Sequence, residues 1–399
     1  IVKATLASPL GRGGLLNSSH DRSSLGRLDI DDEQLATLAA EALGEAPESV
    51  RLLSSRAEQH PYDLPALTTA GRHWVTGTLS TPNGDRDFRL FVKHVQRFST
   101  SLHAAMVPEE HRAAVDAALP WANEPSVYRS TLASALPEGL TMPRALLVQG
   151  LDANSAAIWL AEVPSAPTQW PSADLARAAY LLGRFAANRD VRAVAAKSGH
   201  RMAAVRDYAE GRLRHQVVPA LLDEGLAHHP LIAGAFSPDL IARLRRAADR
   251  LPEFVEELEG VPLMASHGDA CPNNLLTHPD STDITLIDFG FFGEQPAGFD
   301  LSQLLVGEVQ LGRRPAAGLA EDEEAVLPTY VRGLHDEGLE IAESTVRRSH
   351  ALLLLLFAGL SAYPLEHLGG PVTPEALAAA SERAQMAAFA LDLVDATSS

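Results

Sequence analysis

The sequence predicts a two-lobed α+β fold, with a small N-terminal lobe built on an antiparallel sheet plus helices and a larger, mainly helical C-terminal lobe. Three observations predict it. Residues 50–163 carry β-branched and aromatic segments of strand length. Beyond residue 174, Leu, Ala and Val recur at helical spacing. Between the two regions, Pro164, Pro167 and Pro171 punctuate a short connection and mark the lobe boundary. A chain of 399 residues is long enough for this arrangement. The expected division is a flexible tail over 1–27, one lobe over 28–163 and a second over 164–399.

The tail is assigned because residues 1–27 are rich in Gly, Ser and Arg and keep no period. It lacks the contiguous apolar core of a signal peptide, and the absent initiator Met suggests processing or truncation. A helix is expected over 29–43, where acidic residues precede Leu and Ala at helical spacing and Gly44 stops the run. Short strands follow at 50–53, 72–79 and 89–95; the last two are joined by Pro82-Asn83-Gly84-Asp85, a composition that turns the chain back as a hairpin. Helical patterns cover 109–118 and 124–135. Strands at 144–149 and 156–162 flank the turn at Asp152-Ala153-Asn154. The C-terminal lobe is read as helices over 174–188, 201–224, 238–251, 299–309, 322–333, 343–362 and 374–394. Ser237-Pro238 and Thr373-Pro374 each place a capping hydroxyl before a proline suited to the first helical position. Residues 261–293 break the helical rule with short strands and loops.

Composition narrows the function. One cysteine, Cys271, excludes an internal disulfide and a thiolate zinc site, and cytoplasm is the expected compartment. Its lone thiol reads as a small packed side chain. The balance of 33 basic against 51 acidic residues argues against wrapping DNA or lying on an anionic membrane. Cationic or neutral partners fit better. The longest apolar run, residues 351–360, falls short of the roughly 20 residues of a membrane span and reads as a buried helix. Arg243, Arg245, Arg246 and Arg250 recur at helical spacing and read as a solvated face. The 15 histidines include no H-E-x-x-H pair. Only three basic residues are lysine, namely Lys3, Lys93 and Lys197. A lysine within the apolar strand Phe91-Val92-Lys93 therefore calls for a specific reason, because the two cations differ in hydration and donor geometry.

The distinctive chemistry lies between Ser266 and Leu301. The segment reads S-H-G-D-A-C-P-N-N-L-L over 266–276, I-T-L-I-D-F-G over 284–290 and G-F-D-L over 298–301. Asp269 lies five residues before Asn274, and Asp288 fourteen beyond it. This spacing lets a loop bearing Asp269 enter a short strand near Asn274 while a paired strand ends in Asp288, so that three oxygen-bearing side chains meet at one mouth. Phosphoryl transfer needs such a set: a carboxylate to orient and deprotonate a hydroxyl, and oxygen ligands to hold Mg²⁺ against nucleotide phosphates.

His267-Gly268-Asp269 with Asn274, and Ile287-Asp288 with Asp300-Leu301, resemble the signature of the aminoglycoside phosphotransferase and choline kinase-like family, which shares the protein-kinase-like fold. The resemblance implies Asp269 as catalytic base, Asn274 and Asp288 as Mg²⁺ ligands, His267 as a brace of the catalytic loop and Asp300 as its anchor from the following helix. It implies that Lys93 contacts the α- and β-phosphates of ATP, oriented by a helix glutamate. Glu124 is the first choice for that partner, with Glu109 and Glu110 as competitors. The base of the nucleotide is placed at the connection after strand 156–162, where Glu162 and Val163 offer backbone groups. The lobe over 28–163 then binds nucleotide, and the lobe over 164–399 binds the acceptor and carries catalysis.

No G-x-G-x-x-G or Walker segment is present; Ala70-Gly71 is a weak candidate for the turn over the phosphates. The implied reaction is ATP- and Mg²⁺-dependent transfer to a hydroxyl of a small molecule, such as an aminoglycoside or other antibiotic. The acidic balance is compatible with a cationic acceptor. Glu308, Asp322 and Glu324 are candidate acceptor contacts, each reading more readily as solvated surface. Alternatives are a kinase of an amino alcohol, amino acid or sugar, and a nucleotide-binding regulator without transfer. A protein kinase is disfavoured because H-R-D and A-P-E wordings are absent. Oligomeric state has no sequence signal.

Overall fold

The computed structural model describes residues 20–61, 67–165, 170–198 and 203–398. The N-terminal sheet contains β1 (His20–Asp21), β2 (Arg51–Gln59), β3 (Thr69–Thr81), β4 (Gly84–Gln96) and, after a short β5 (Leu140–Thr141) that belongs elsewhere, β6 (Ala145–Asp152) and β7 (Ser155–Ala161). Their order is β1-β2-β3-β4-β7-β6. The β3–β4 turn is tight: Thr81 pairs with Gly84, Gly84 adopts φ 110°, and the Thr81 hydroxyl donates to the Gly84 carbonyl at 2.8 Å. Only glycine takes that backbone conformation without strain. β1 runs parallel to β2, so the sheet is mixed where an antiparallel one was expected.

That pairing corrects the reading of residues 1–27 as a tail. Residues 1–19 lie outside the described residues, but residues 20–27 are packed. Leu25 and Leu28 are buried, and the Arg22 guanidinium donates to Asp29, Asp32, Ser55 and the Ile30 carbonyl. Leu25, the adjoining Leu28 and one multiply bonded arginine suffice to anchor the segment, a signal that its Gly/Ser/Arg composition concealed. The helix Asp32–Leu43 follows, with the Asp31 side chain accepting from Gln34 N–H and Gly44 at φ 72° ending it. Leu35, Leu38 and Ala39 of this helix join Phe88, Leu90, Val92 and Trp159 in one apolar cluster on one sheet face. By the two-residue period of a strand, Phe91, Lys93 and Val95 of β4 point to the other face, where Val95 joins the large core shared with the second lobe.

The C-terminal lobe packs the helix Ser172–Ala187 closely against Leu319–Asp336. A Cβ on Gly183 would stand 2.1 Å from the Tyr330 carbonyl oxygen, and one on Gly333 would stand 2.2 Å from that of Tyr180. Glycine at both positions permits the contact. Several helices depart from expectation. The 124–135 pattern divides into Asn123–Arg129 and Leu132–Ala135, where Ser130 Oγ donates to the Val127 carbonyl and accepts from Leu132 N–H. Within 201–224, whose first two residues lie outside the described ones, a helix over Ala203–Tyr208 widens to π geometry over Ala209–Val217. Pro219 lacks the N–H that a regular α-helix would use there. A further helix, Leu251–Glu259, restarts at Pro252. The stretch Glu343–His367 is long and apolar enough to cross a membrane by composition, yet 78% of its most apolar window is buried inside the protein. It is a core helix, and its last turns are π (Leu355–Gly359) and 3₁₀ (Leu360–Ala362).

Two small sheets interrupt the helices. β8 (Leu263–Ser266), β9 (Leu275–Thr277), β10 (Ile284–Leu286) and β11 (Gly293–Pro296) pair as β5-β10-β9 and β11-β8. Their loops carry the residues of 266–292.

Candidate active site

β8 ends at Ser266, and the following loop is fixed from below by Asp300. This buried carboxylate, in the first turn of the helix Phe299–Gln310, accepts from Ser266 Oγ at 2.8 Å, His267 N–H at 2.9 Å and Gly268 N–H at 2.9 Å. Gly268 sits at φ 83°, and a Cβ there would stand 2.1 Å from the Phe291 carbonyl oxygen. His267 is fully buried and bonds the Ile287 carbonyl through Nε2 at 3.0 Å. A carbonyl oxygen only accepts, so Nε2 carries a hydrogen. The loop is thereby tied both to the helix behind it and to the strand end that precedes Asp288.

Asn274 closes the loop over Asp269. Its Nδ2 donates to the Asp269 carbonyl at 2.8 Å and to Asp269 Oδ2 at 2.9 Å. The amide thus orients the carboxylate and turns its own oxygen away from it. Burial raises the Asp269 carboxyl above its ordinary range, with the charge of Asp288 adding to the rise and the Asn274 hydrogen bond opposing it. Cys271 lies on the same loop against Gly307, and burial pushes its thiol well up, so it is a protonated packing group.

Asp288 terminates the strand region of β10 with φ 64° and ψ 65°, the one non-glycine residue with positive φ among those described. Such a conformation is disfavoured for most side chains and persists where surrounding contacts fix it. Lys93 supplies one: its Nζ stands 2.9 Å from Asp288 Oδ1 and 2.6 Å from Glu124 Oε2. Of the three glutamates weighed for Lys93, Glu124 is the one that meets it; Glu109 and Glu110 are exposed on the helix Glu109–Ala118. Burial works against the charge of Lys93, yet Asp288 and Glu124 together hold its pKa above the ordinary value. Asp288 is held below its ordinary value because the ammonium outweighs desolvation. Glu124 is pushed up by burial against the pull of Lys93.

Two residues of this network had no place in the sequence reading. Arg72 Nη2 lies 4.0 Å from Asp288 Oδ2, and Arg72 pairs with Lys93 across the β3–β4 ladder. Hairpin register would have found it, since residues opposite on adjacent strands share a face. Asn123 donates from Nδ2 to the carbonyls of Phe292 at 2.8 Å, Gly290 at 3.1 Å and Phe289 at 3.4 Å. In sequence it reads only as an ordinary helix-start residue.

Other candidates fall at the periphery. β7 stops at Ala161, and Glu162 and Val163 follow it at the junction of the lobes. The Glu162 carboxylate is paired with Arg89 at 2.8 Å, and that guanidinium covers Trp74 with 3.7 Å to the ring centroid. Ala70-Gly71 lies inside β3, beside a register irregularity, so it is strand and not a turn. Glu324 is exposed as expected, but Glu308 and Asp322 are buried. The solvated reading of those two is corrected by their partners: Glu308 pairs with Arg313, and Asp322 with Arg314 and Ser172. A cavity of about 890 Å³ opens on the N-terminal sheet between Ser55, Thr76, Thr78, Asp87, Arg89 and Glu162. It does not include Asp269, Asn274 or Asp288, so converging side chains mark the site better than cavity size. Among the described residues, no group of three or more His, Cys, Asp or Glu is arranged to hold a metal by itself. Asn274 and Asp288 fit the different pattern of Mg²⁺, which is bound by few protein oxygens together with phosphates and water.

The phosphotransferase enzyme family model matches residues 35–334, more than half of the chain. Among solved structures, an aminoglycoside-3'-phosphotransferase of type VIII is 21% identical, covering 75% of this chain and 92% of its own, with a TM-score of 0.42. An aminoglycoside phosphotransferase from Alicyclobacillus acidocaldarius is 16% identical, covering 85% and 92%, with a TM-score of 0.46. A choline kinase from Cryptosporidium parvum is 11% identical, covering 86% and 88%, also at 0.46. No curated protein matches. On the sequence match over residues 35–334, the chain belongs to the phosphotransferase enzyme family.

Proposed function

We propose that the protein transfers the γ-phosphoryl group of ATP to a hydroxyl of a small molecule, with Asp269 as the base. The observation that carries this reading is the pairing of two linked clusters: Asp269 held by Asn274, and Asp288 held by the buried Lys93–Glu124 pair. The acceptor oxygen attacks the γ-phosphorus, the bond to the bridging oxygen of the departing ADP breaks, and the hydroxyl proton passes to Asp269. A carboxyl raised by burial is a better proton acceptor than an ordinary aspartate, and the Asn274 amide leaves Oδ1 as the oxygen to receive it. Lys93 orients the α- and β-phosphates, while Asp300 and His267 keep the loop in register. The Asn274 side-chain oxygen and the Asp288 carboxylate would hold Mg²⁺, which offsets negative charge on the phosphates when bound. Glu162 and Val163 would offer backbone groups to the base.

For the acceptor, an aminoglycoside or other antibiotic remains the first class to test, with amino alcohols, amino acids and sugars as the alternative. Two of the three acidic side chains singled out on the helical wall do not favour a polycation, because Glu308 and Asp322 are already paired with Arg313 and Arg314. The test is Asp269→Ala. It abolishes ATP consumption with an accepted hydroxyl compound while leaving Mg²⁺–ATP affinity within about threefold of the parent. Turnover at the parent rate overturns the assignment.

A further inference from the structure

We infer that Asn123 is a positioning residue that couples the helix bearing Glu124 to the turn bearing Asp288, so that the phosphate-orienting cation and the metal-binding carboxylate come into place together. The inference rests on the proposed nucleotide reading of the site and extends it to a residue outside the reacting groups. Three backbone carbonyls, those of Phe289, Gly290 and Phe292, converge on one side-chain nitrogen. Because all three partners only accept, the amide nitrogen and not its oxygen must face them. With two hydrogens for three oxygens, the 2.8 and 3.1 Å contacts take one each, and the 3.4 Å contact shares.

The convergence is placed where it has leverage. Asn123 is 7% exposed, so no water replaces it cheaply. Glu124, its chain neighbour, accepts from Lys93, and Lys93 in turn meets Asp288, the residue immediately before the clamped turn. The contacts form a closed circuit: Lys93, Glu124, Asn123, the turn over 289–292, Asp288 and back to Lys93. Tyr128 of the same helix adds an edge contact to Phe289 at 5.8 Å between centroids, which packs the helix on the turn without fixing its carbonyls. Asp288 holds a backbone conformation that most residues avoid, and the segment after it is kept by Asn123. Losing the amide removes the side-chain donor from the carbonyls of Phe292 and Gly290, while that of Phe289 keeps its bond from Phe292 N–H; the turn is freed to relax, and the Lys93–Glu124 pair itself keeps both partners.

The test uses the full-length protein and isothermal titration with the non-hydrolysable analogue AMP-PNP, with and without Mg²⁺, which needs no acceptor. Asn123→Ala weakens Mg²⁺–AMP-PNP binding about tenfold, because Asp288 is no longer pre-set. Metal-free AMP-PNP affinity, which depends on Lys93, falls less than about threefold. A purely structural role would move the thermal midpoint and leave the ratio of the two affinities unchanged, and that result overturns the inference. If the alanine variant does not fold, Asn123→Asp, which keeps the volume but removes both amide hydrogens, is judged by the same ratio. If the parent protein binds no nucleotide with or without Mg²⁺, the proposed function itself fails, a result distinct from an unchanged ratio in the variant.

Discussion

Replacing Lys93 by methionine exposes the cost of the buried charges around it. Lys93 and Glu124 are each 4% exposed and meet at 2.6 Å. Methionine keeps the length and apolar stem of lysine but removes its charge. Removing one partner of a buried ion pair costs about 3–5 kcal/mol, because the remaining charge is stranded. Glu124 can escape part of that cost by taking a proton. Its carboxyl is already pushed above the ordinary value of 4.5 by burial, and without the opposing pull of Lys93 it rises further. A folded carboxyl with a raised pKa binds more protons than the unfolded chain, so its contribution is intact below 4.5 and is lost as pH rises through the folded pKa. Glu124 of the parent is itself pushed up to about 7, so both proteins lose stability in parallel as pH rises to that value, and the deficit of Lys93→Met grows above it, by up to about 1.4 kcal/mol per unit. From about pH 7 to pH 8.5 this amounts to about 2 kcal/mol, part of the cost of breaking a buried pair. Urea unfolding of both proteins between about pH 5.5 and pH 8.5 reads this difference directly. A deficit that is constant across the range, or that shrinks as pH rises, refutes the reasoning.

His350 is fully buried, and burial lowers its pKa to about 3, so it stays neutral in the folded protein while its unfolded counterpart protonates below 6.5. Stability from this group is complete above 6.5 and is lost as pH falls toward the folded pKa; His350→Asn flattens the acid limb of the stability curve by up to about 1.4 kcal/mol per unit, and an unchanged limb in urea titrations contradicts this. Asp300→Asn points an amide donor at N–H groups that now have an acceptor, lowering stability by about 2–4 kcal/mol in denaturant unfolding; a change under about 0.5 kcal/mol would show that the loop is held otherwise. Gly333→Ala forces a methyl against the Tyr180 carbonyl and costs about 1–3 kcal/mol, whereas Gly211→Ala, with nothing within 4 Å of the added carbon, is neutral or stabilising by calorimetry.

What the sequence disclosed follows from the range of the interactions involved. The β3–β4 hairpin was legible because Pro82-Asn83-Gly84 states its turn locally, and the scarcity of lysine isolated Lys93 before any contact was known. The order of Asp269, Asn274 and Asp288 survives as geometry only in part through spacing; the Asn274–Asp269 hydrogen bond is local, whereas the approach of Lys93 to Asp288 joins residues from different lobes. Asn123 escaped notice for that reason: its three partners lie more than 160 residues away. Glu308 and Asp322 were read as surface because composition does not reveal which arginine covers which acid. Residues 20–27 read as tail because a single leucine among Ser, Gly and Arg establishes no period, although Leu25 with the adjoining Leu28 joins the apolar cluster against the N-terminal sheet.

Phosphoryl transfer is tested most directly by ADP formation from Mg²⁺–ATP across a panel of aminoglycosides, other hydroxylated antibiotics, amino alcohols, amino acids and sugars, with the product located by phosphorus NMR. The predicted result is one ADP released for each phosphate monoester formed on an acceptor, lost in Asp269→Ala. Firm Mg²⁺–ATP binding with no ADP formed across the panel would contradict it and would identify the protein as a nucleotide-binding regulator.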